Sequence, residues 1–139
     1  MDQTIIFFFA AIVIVGGLLY AIIELTKKGA KQLDVNRYRA KWLAIEHQLK
    51  RDEPSSRHLV VLNADKLLDQ ALKERGVKGT TMGERLKSSS QLYSNRNNVW
   101  SAHKLRNQIA HESDVEVSHD AARQALQGFK QALKDVGAI

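Results

Sequence analysis

Leu105-Arg106-Asn107-Gln108-Ile109-Ala110-His111-Glu112 is the stretch from which the fold can be read. No glycine or proline interrupts the chain from Val99 to Glu112, so a helix can run through it. Taking His103 as zero, Ala102, Leu105 and Ile109 fall at roughly 260°, 200° and 240° around a helix axis. These three make one apolar face that needs other helices to cover it. On the other side lie Arg106, Ala110, Asn107 and His111, at roughly −60°, −20°, 40° and 80°. Val99 and Trp100 share that side, so it is mixed rather than purely polar.

The neighbouring segments extend the helical pattern. Asn97 or Asn98 can cap this helix, which is predicted from Val99 to His111 or Glu112. Ser113 to Val117 reads as a connection. Ser118 can cap a last helix whose apolar stripe is Ala122, Ala125, Leu126, Phe129, Leu133 and Val136, with Gly137 ending it. Upstream, Val35, Tyr38, Trp42, Ile45 and Leu49 recur at steps of three and four, predicting a helix from Asp34 to Arg51 that Pro54 closes off. Ser55 or Ser56 can cap the next helix, which runs to about Arg75 with Val60, Ala64, Leu67, Leu68, Ala71 and Leu72 inward and Gly76 beyond its end. Thr81-Met82-Gly83-Glu84 has capping-box spacing and opens a short helix through Leu86. Ser88 to Ser90 reads as a flexible break. The fold class is therefore all-α: an antiparallel bundle of four to five helices, joined by short connections.

The N-terminus adds an element of another kind. Thr4 to Ile23 carries no charge. From Ile5 to Ile23 a helix would span about 28 Å, close to the hydrocarbon thickness of a bilayer. No basic segment or small-residue cleavage site marks it as a removable signal. Gly29 is expected to loosen the exit from the membrane. After it come Lys27, Lys28, Lys31, Arg37, Arg39 and Lys41, whereas only Asp2 precedes it. Retention of positive residues inside places the body in the cytoplasm and the short N-terminus outside, a single-pass protein of the cytoplasmic membrane. Lipid contacts are expected through residues 4–25 and the basic cluster that follows. The chain thus divides into an anchor (1–26), a basic juxtamembrane segment with an amphipathic helix (27–54) and a helical domain (55–139).

Net charge is +6, from 21 Lys and Arg against 15 Asp and Glu. All 21 basic residues follow residue 26 and 13 of the acids do, so the body carries a surplus of eight. Such a surplus suits nucleic acid or anionic lipid, and also plain solubility. The chain has no cysteine, which excludes disulfides and thiolate metal sites. His47, His58, His103, His111 and His119 lack metal-ligand spacing, so no metal or other cofactor is expected. Gly76, Gly79 and Gly83 lack the Lys-Ser/Thr context of a phosphate-cradling loop.

The mixed side of the motif helix is the candidate site. Arginine can hold two phosphate oxygens in a fixed fork. Histidine exchanges protons near neutrality, and an asparagine can orient either partner. Together Arg106, Asn107 and His111 suffice for metal-independent RNA cleavage by attack of the 2′-OH on its own phosphate. His103 and Lys104 are candidate accessory or RNA contacts. A second copy of the chain is the simplest partner for a mixed face, with Val99, Trp100 and Ala110 as interface candidates. The bland alternative pairs Arg106 with an acid such as Glu112, and has His111 closing the helix end.

Arg106 to Glu112, RNQIAHE, resembles the signature of the HEPN superfamily, an Arg, usually a polar residue next, and a His after four to six intervening positions. The likeness extends over about Ser55 to Val136 and omits the membrane span. It implies an α-helical bundle dimerising through the motif helices. It also implies metal-independent endoribonuclease activity, as in many members from toxin–antitoxin, phage-defence and CRISPR-associated systems. Arg106 and His111 would be catalytic and Asn107 supporting. Other members of that superfamily only bind RNA, nucleotides or protein partners. Three functions are therefore expected: a membrane-tethered endoribonuclease, a non-catalytic anchored module of the same fold, or a lipid-facing structural protein whose basic residues read headgroups.

Overall fold

The computed structural model describes residues 2–27 and 31–139. Among the described residues there are six α-helices and no strand. They form two compact units, Met1–Lys31 and Gln32–Ile139.

The first unit is α1, Gln3–Lys27. Its large apolar residues are exposed all round, from 45% at Ile5 to 73% at Phe7. Over Gln3–Thr26 the mean hydropathy is 2.8, long and apolar enough to cross a membrane. The loosened exit expected at Gly29 lies outside the described residues.

The second unit begins with α2, Val35–Gln48, capped by Asp34, whose side chain accepts from the Arg37 N–H. Tyr38, Trp42 and Ile45 are buried, so the segment set apart above as 27–54 shares the core of the body. Burial, with Glu74 nearby, pushes the Tyr38 phenol up to about 12. The helix stops three residues before the predicted Arg51. The cause is Ser56, which accepts from the Lys50 N–H at 3.0 Å and donates to the Glu53 carbonyl at 2.7 Å, clasping the turn. Neither Ser55 nor Ser56 is a cap: α3 spans Pro54–Glu74, with Glu53 at the cap position and Pro54 in the first turn.

Helix α3 is the centre of the body and touches α2, α4, α5 and α6. Arg37 at the start of α2 bonds Glu74 at the end of α3, and Gln48 bonds Asn63, so these two helices run antiparallel. Gly76, at φ 84, makes the left-handed turn after α3, and the Val77 N–H returns to the Leu72 carbonyl.

The capping box forms as expected: Thr81 and Glu84 cap α4, Met82–Ser88. Bonds from the Thr80 hydroxyl and the backbone of Thr80 and Thr81 hold the Glu84 carboxyl below the usual range. The stretch expected to be a flexible break is ordered instead. Ser90–Leu92 forms a 3₁₀ turn, and buried Ser89 bonds the Tyr93 hydroxyl at 2.7 Å. Next, α5 spans Arg96–His111 and α6 spans His119–Asp135, the latter capped by Ser118. Asn95, rather than Asn97 or Asn98, caps α5 by accepting from the Asn98 N–H at 3.1 Å.

Helices α5 and α6 approach closely at Gly128, where an added Cβ would lie 2.8 Å from the Asn98 carbonyl oxygen. Alanine normally favours a helix over glycine. Here the order should reverse: Gly128→Ala is expected to lose roughly 1–3 kcal/mol of stability through overpacking. Denaturant unfolding measures this, and a variant as stable as the parent would refute the close contact.

Candidate functional site

The site lies where α3 and α5 meet, beside the loop leading into α4. Asp65 is 3% exposed on α3, although it stands among core residues Val61, Ala64 and Leu68. A buried carboxylate needs partners, and α5 supplies them. His103, 6% exposed, places Nδ1 2.7 Å from Asp65 Oδ1. Arg106 Nε lies 3.4 Å from Asp65 Oδ2 as an ion pair. The spacing of three residues on α5 puts both cation-capable groups over the same carboxylate.

Asn107 closes the cluster. Its Nδ2 lies 3.3 Å from His103 Nε2, and its Oδ1 accepts from an Arg106 terminal N–H at 3.0 Å. One set of bond directions links all four side chains. His103 donates from Nδ1 to Asp65 and accepts at Nε2 from Asn107, while Arg106 bridges Asn107 back to Asp65. The Trp100 ring meets the His103 ring edge-on, with centroids 6.0 Å apart.

This ring of four forms one wall of a groove of about 610 Å³ between α3, α4 and α5. The other walls include Lys66, Asp69, Thr80, Thr81, Gly83 and Arg85. Arg85 is 5% exposed and is held by Asp69 at 2.6 Å and the Gly79 carbonyl at 2.6 Å. Burial opposes ionisation of Asp69, but hydrogen bonds from Arg85 and Lys73 outweigh it and hold the carboxyl below its usual range. Lys66 is exposed and carries no ion pair among the described residues.

The structure brings together Arg106, Asn107 and His103 of the expected site residues. His111 stands apart, exposed in the last turn of α5 and outside the groove. Lys104 is exposed and also outside it. Val99 requires a correction. Expected at an outward interface, it is 1% exposed and belongs to the body's own core. Trp100 is half-buried against that core, and of the three interface candidates only Ala110 is exposed. The reason is that α5 is covered from two directions, by α6 and by α3, so its buried arc is wider than one apolar stripe.

One further expectation changes. The acid that pairs with Arg106 is Asp65, not Glu112, which instead forms the C-cap of α5. Asp65 itself went unassigned, although its sequence signal is an acid inside an otherwise apolar helical stripe. Among the described residues no cluster of His, Asp or Glu could hold a metal ion. Compared with known proteins, the chain matches no family model, no curated protein and no solved structure.

Proposed function

We propose that this chain is a HEPN-like antiparallel helical bundle anchored to the cytoplasmic membrane by α1, acting on RNA as a metal-independent endoribonuclease. In this reading the body faces the cytoplasm and the short N-terminus lies outside, as the basic residues after α1 favour. The observation that carries the proposal is the support given to Arg106. Its guanidinium is fixed by Asp65 and Asn107 while its side chain stays 36% exposed. A fixed, partly exposed guanidinium can hold a phosphate without losing freedom at the moment of binding.

His111, exposed at the open end of the same helix, supplies the proton transfer. It takes the proton of the ribose 2′-OH, whose oxygen attacks the adjacent phosphorus. The 5′-oxygen of the next nucleotide leaves with a proton taken from water, and the upstream product ends in a 2′,3′-cyclic phosphate. Arg106 stabilises the charge gathering on the phosphoryl oxygens.

Arg106 and His111 are separated by about 140° around α5, so one copy spreads them widely. A homodimer through the exposed end of α5, including Ala110, would set Arg106 of one copy near His111 of the other. Full-length protein in detergent, incubated with RNA and EDTA, should release cyclic-phosphate ends. His111→Ala and Arg106→Ala should each lower the rate by roughly 10²–10⁴-fold. Intact RNA at high protein concentration, or cleavage that survives both substitutions, would overturn the nuclease.

One observation favours a second reading, a non-catalytic anchored module that binds RNA, a nucleotide or a protein partner. The ring already satisfies His103, Asn107 and much of Arg106 from within. In that case the protein should retain RNA on a filter without cutting it, and His111→Ala should leave retention unchanged.

A further inference from the structure

A second surface of the body shares no lining residue with the groove at the α5 motif. Leu43, on α2, is 53% exposed, the most exposed large hydrophobic residue of this unit among the described residues. It borders a shallow depression of about 470 Å³ between α2 and α6, lined also by Trp42, Ile139, Arg39, Lys130 and Lys134. Its floor is apolar, since Trp42 is 2% exposed, and its rim is cationic.

The charges on this rim are unequally matched. Glu46 is the acid beside it, and it is occupied twice, by the Trp42 indole N–H at 2.7 Å and by Lys130 at 3.0 Å. Its carboxyl is held below the usual range: burial works against this, but the bonds from Lys130 and Trp42 prevail. Arg39 and Lys134 have no ion pair among the described residues, so two full positive charges flank an exposed leucine. An apolar side chain between long cationic ones suits a lipid interface: the leucine enters the acyl boundary, and the cations reach headgroup phosphates while their stems lie along apolar surface.

We infer that this α2–α6 face docks on the surface of an anionic bilayer, with Leu43 as the apolar contact and Arg39 and Lys134 as the headgroup contacts. Charge complementarity selects anionic lipid over zwitterionic lipid. The inference rests on the membrane anchoring proposed above and not on the nuclease chemistry. Anchoring keeps lipid at high effective concentration, so a patch too weak to recruit a free protein can still dock a tethered one.

The absence of native cysteine makes the test direct. Leu43→Cys, in the full chain, is labelled with an environment-sensitive fluorophore and placed one chain per nanodisc. The discs contain phosphatidylcholine alone or phosphatidylcholine with phosphatidylglycerol. With phosphatidylglycerol the emission should shift to the blue and iodide quenching should fall, while a probe at Ser101→Cys should stay quenched. Adding Arg39→Gln and Lys134→Gln should lower the docked-to-undocked ratio on the order of 25-fold, about fivefold per cation. Equal quenching in both disc types, or protection that survives both substitutions, overturns the inference. Protection confined to discs carrying two chains also overturns it and assigns the face to a second copy. Failure to dock in chains that co-elute with discs leaves the anchor standing, whereas failure to co-elute removes both.

Discussion

Replacing Asp65 with alanine should cost roughly 1–3 kcal/mol of unfolding free energy, because it leaves the buried His103 Nδ1–H without its acceptor. The carboxylate is 3% exposed and faces both His103 and Arg106. Removing it leaves the His103 Nδ1–H unpaired inside the body, whereas Arg106 keeps its bond to Asn107 and its access to solvent. Denaturant unfolding of the full chain measures the loss, and a change under about 1 kcal/mol would show that water replaces the carboxylate. Asp65→Asn should cost less, since its amide oxygen can still accept from His103. Replacing Asp65, His103 and Arg106 together with leucine removes the polar requirement altogether. That variant should recover most of the stability, as expected when a buried network gives way to apolar packing.

The second large effect is expected at Phe129. It is fully buried on α6, which packs against both α3 and α5. Phe129→Ala should lose roughly 3–5 kcal/mol through lost burial and the cavity left behind. Leu92→Ala is the matching control: Leu92 is 37% exposed, and a surface change of this kind should stay within about 0.5 kcal/mol. Equal losses at the two positions would mean that the core is not centred where α6 meets its neighbours.

The parts of the fold that were legible in the sequence are those set by local chemistry. Thr81 and Glu84 carry a capping box in their spacing alone. Ser118 caps α6, and Gly76 and Gly137 take positive φ beyond α3 and α6, because each role depends on one residue and its immediate neighbours. The boundaries that moved depend on partners further off. Ser56 clasps the turn after α2 from the first turn of α3, and so it cannot serve as the cap. Asn95, Asn97 and Asn98 are chemically alike, and only the start of α5 shows which of them caps it.

The site was legible in composition but not in arrangement. A helical projection sorts residues into inward and outward faces, yet α5 has two covered sides. His103 and Val99, projected outward, are both buried. Arg106 and Asn107 did prove to be neighbours of a histidine, but it is His103 rather than His111. The acid that joins them comes from α3, and nothing in the local sequence of α5 points to it.

The ring at the site also bears on how long the folded body lasts. Asp65 and His103 are 38 residues apart in the chain, so the ring closes only after a long loop has been brought together. Contacts that form that late reward the finished structure more than the route to it. The Asp65→Ala loss should therefore appear mainly as faster unfolding, with the refolding rate little changed in stopped-flow measurements. A slowed refolding limb would instead place the ring in the folding nucleus. On this view the ring acts as a latch on native lifetime: it sets how seldom the body opens.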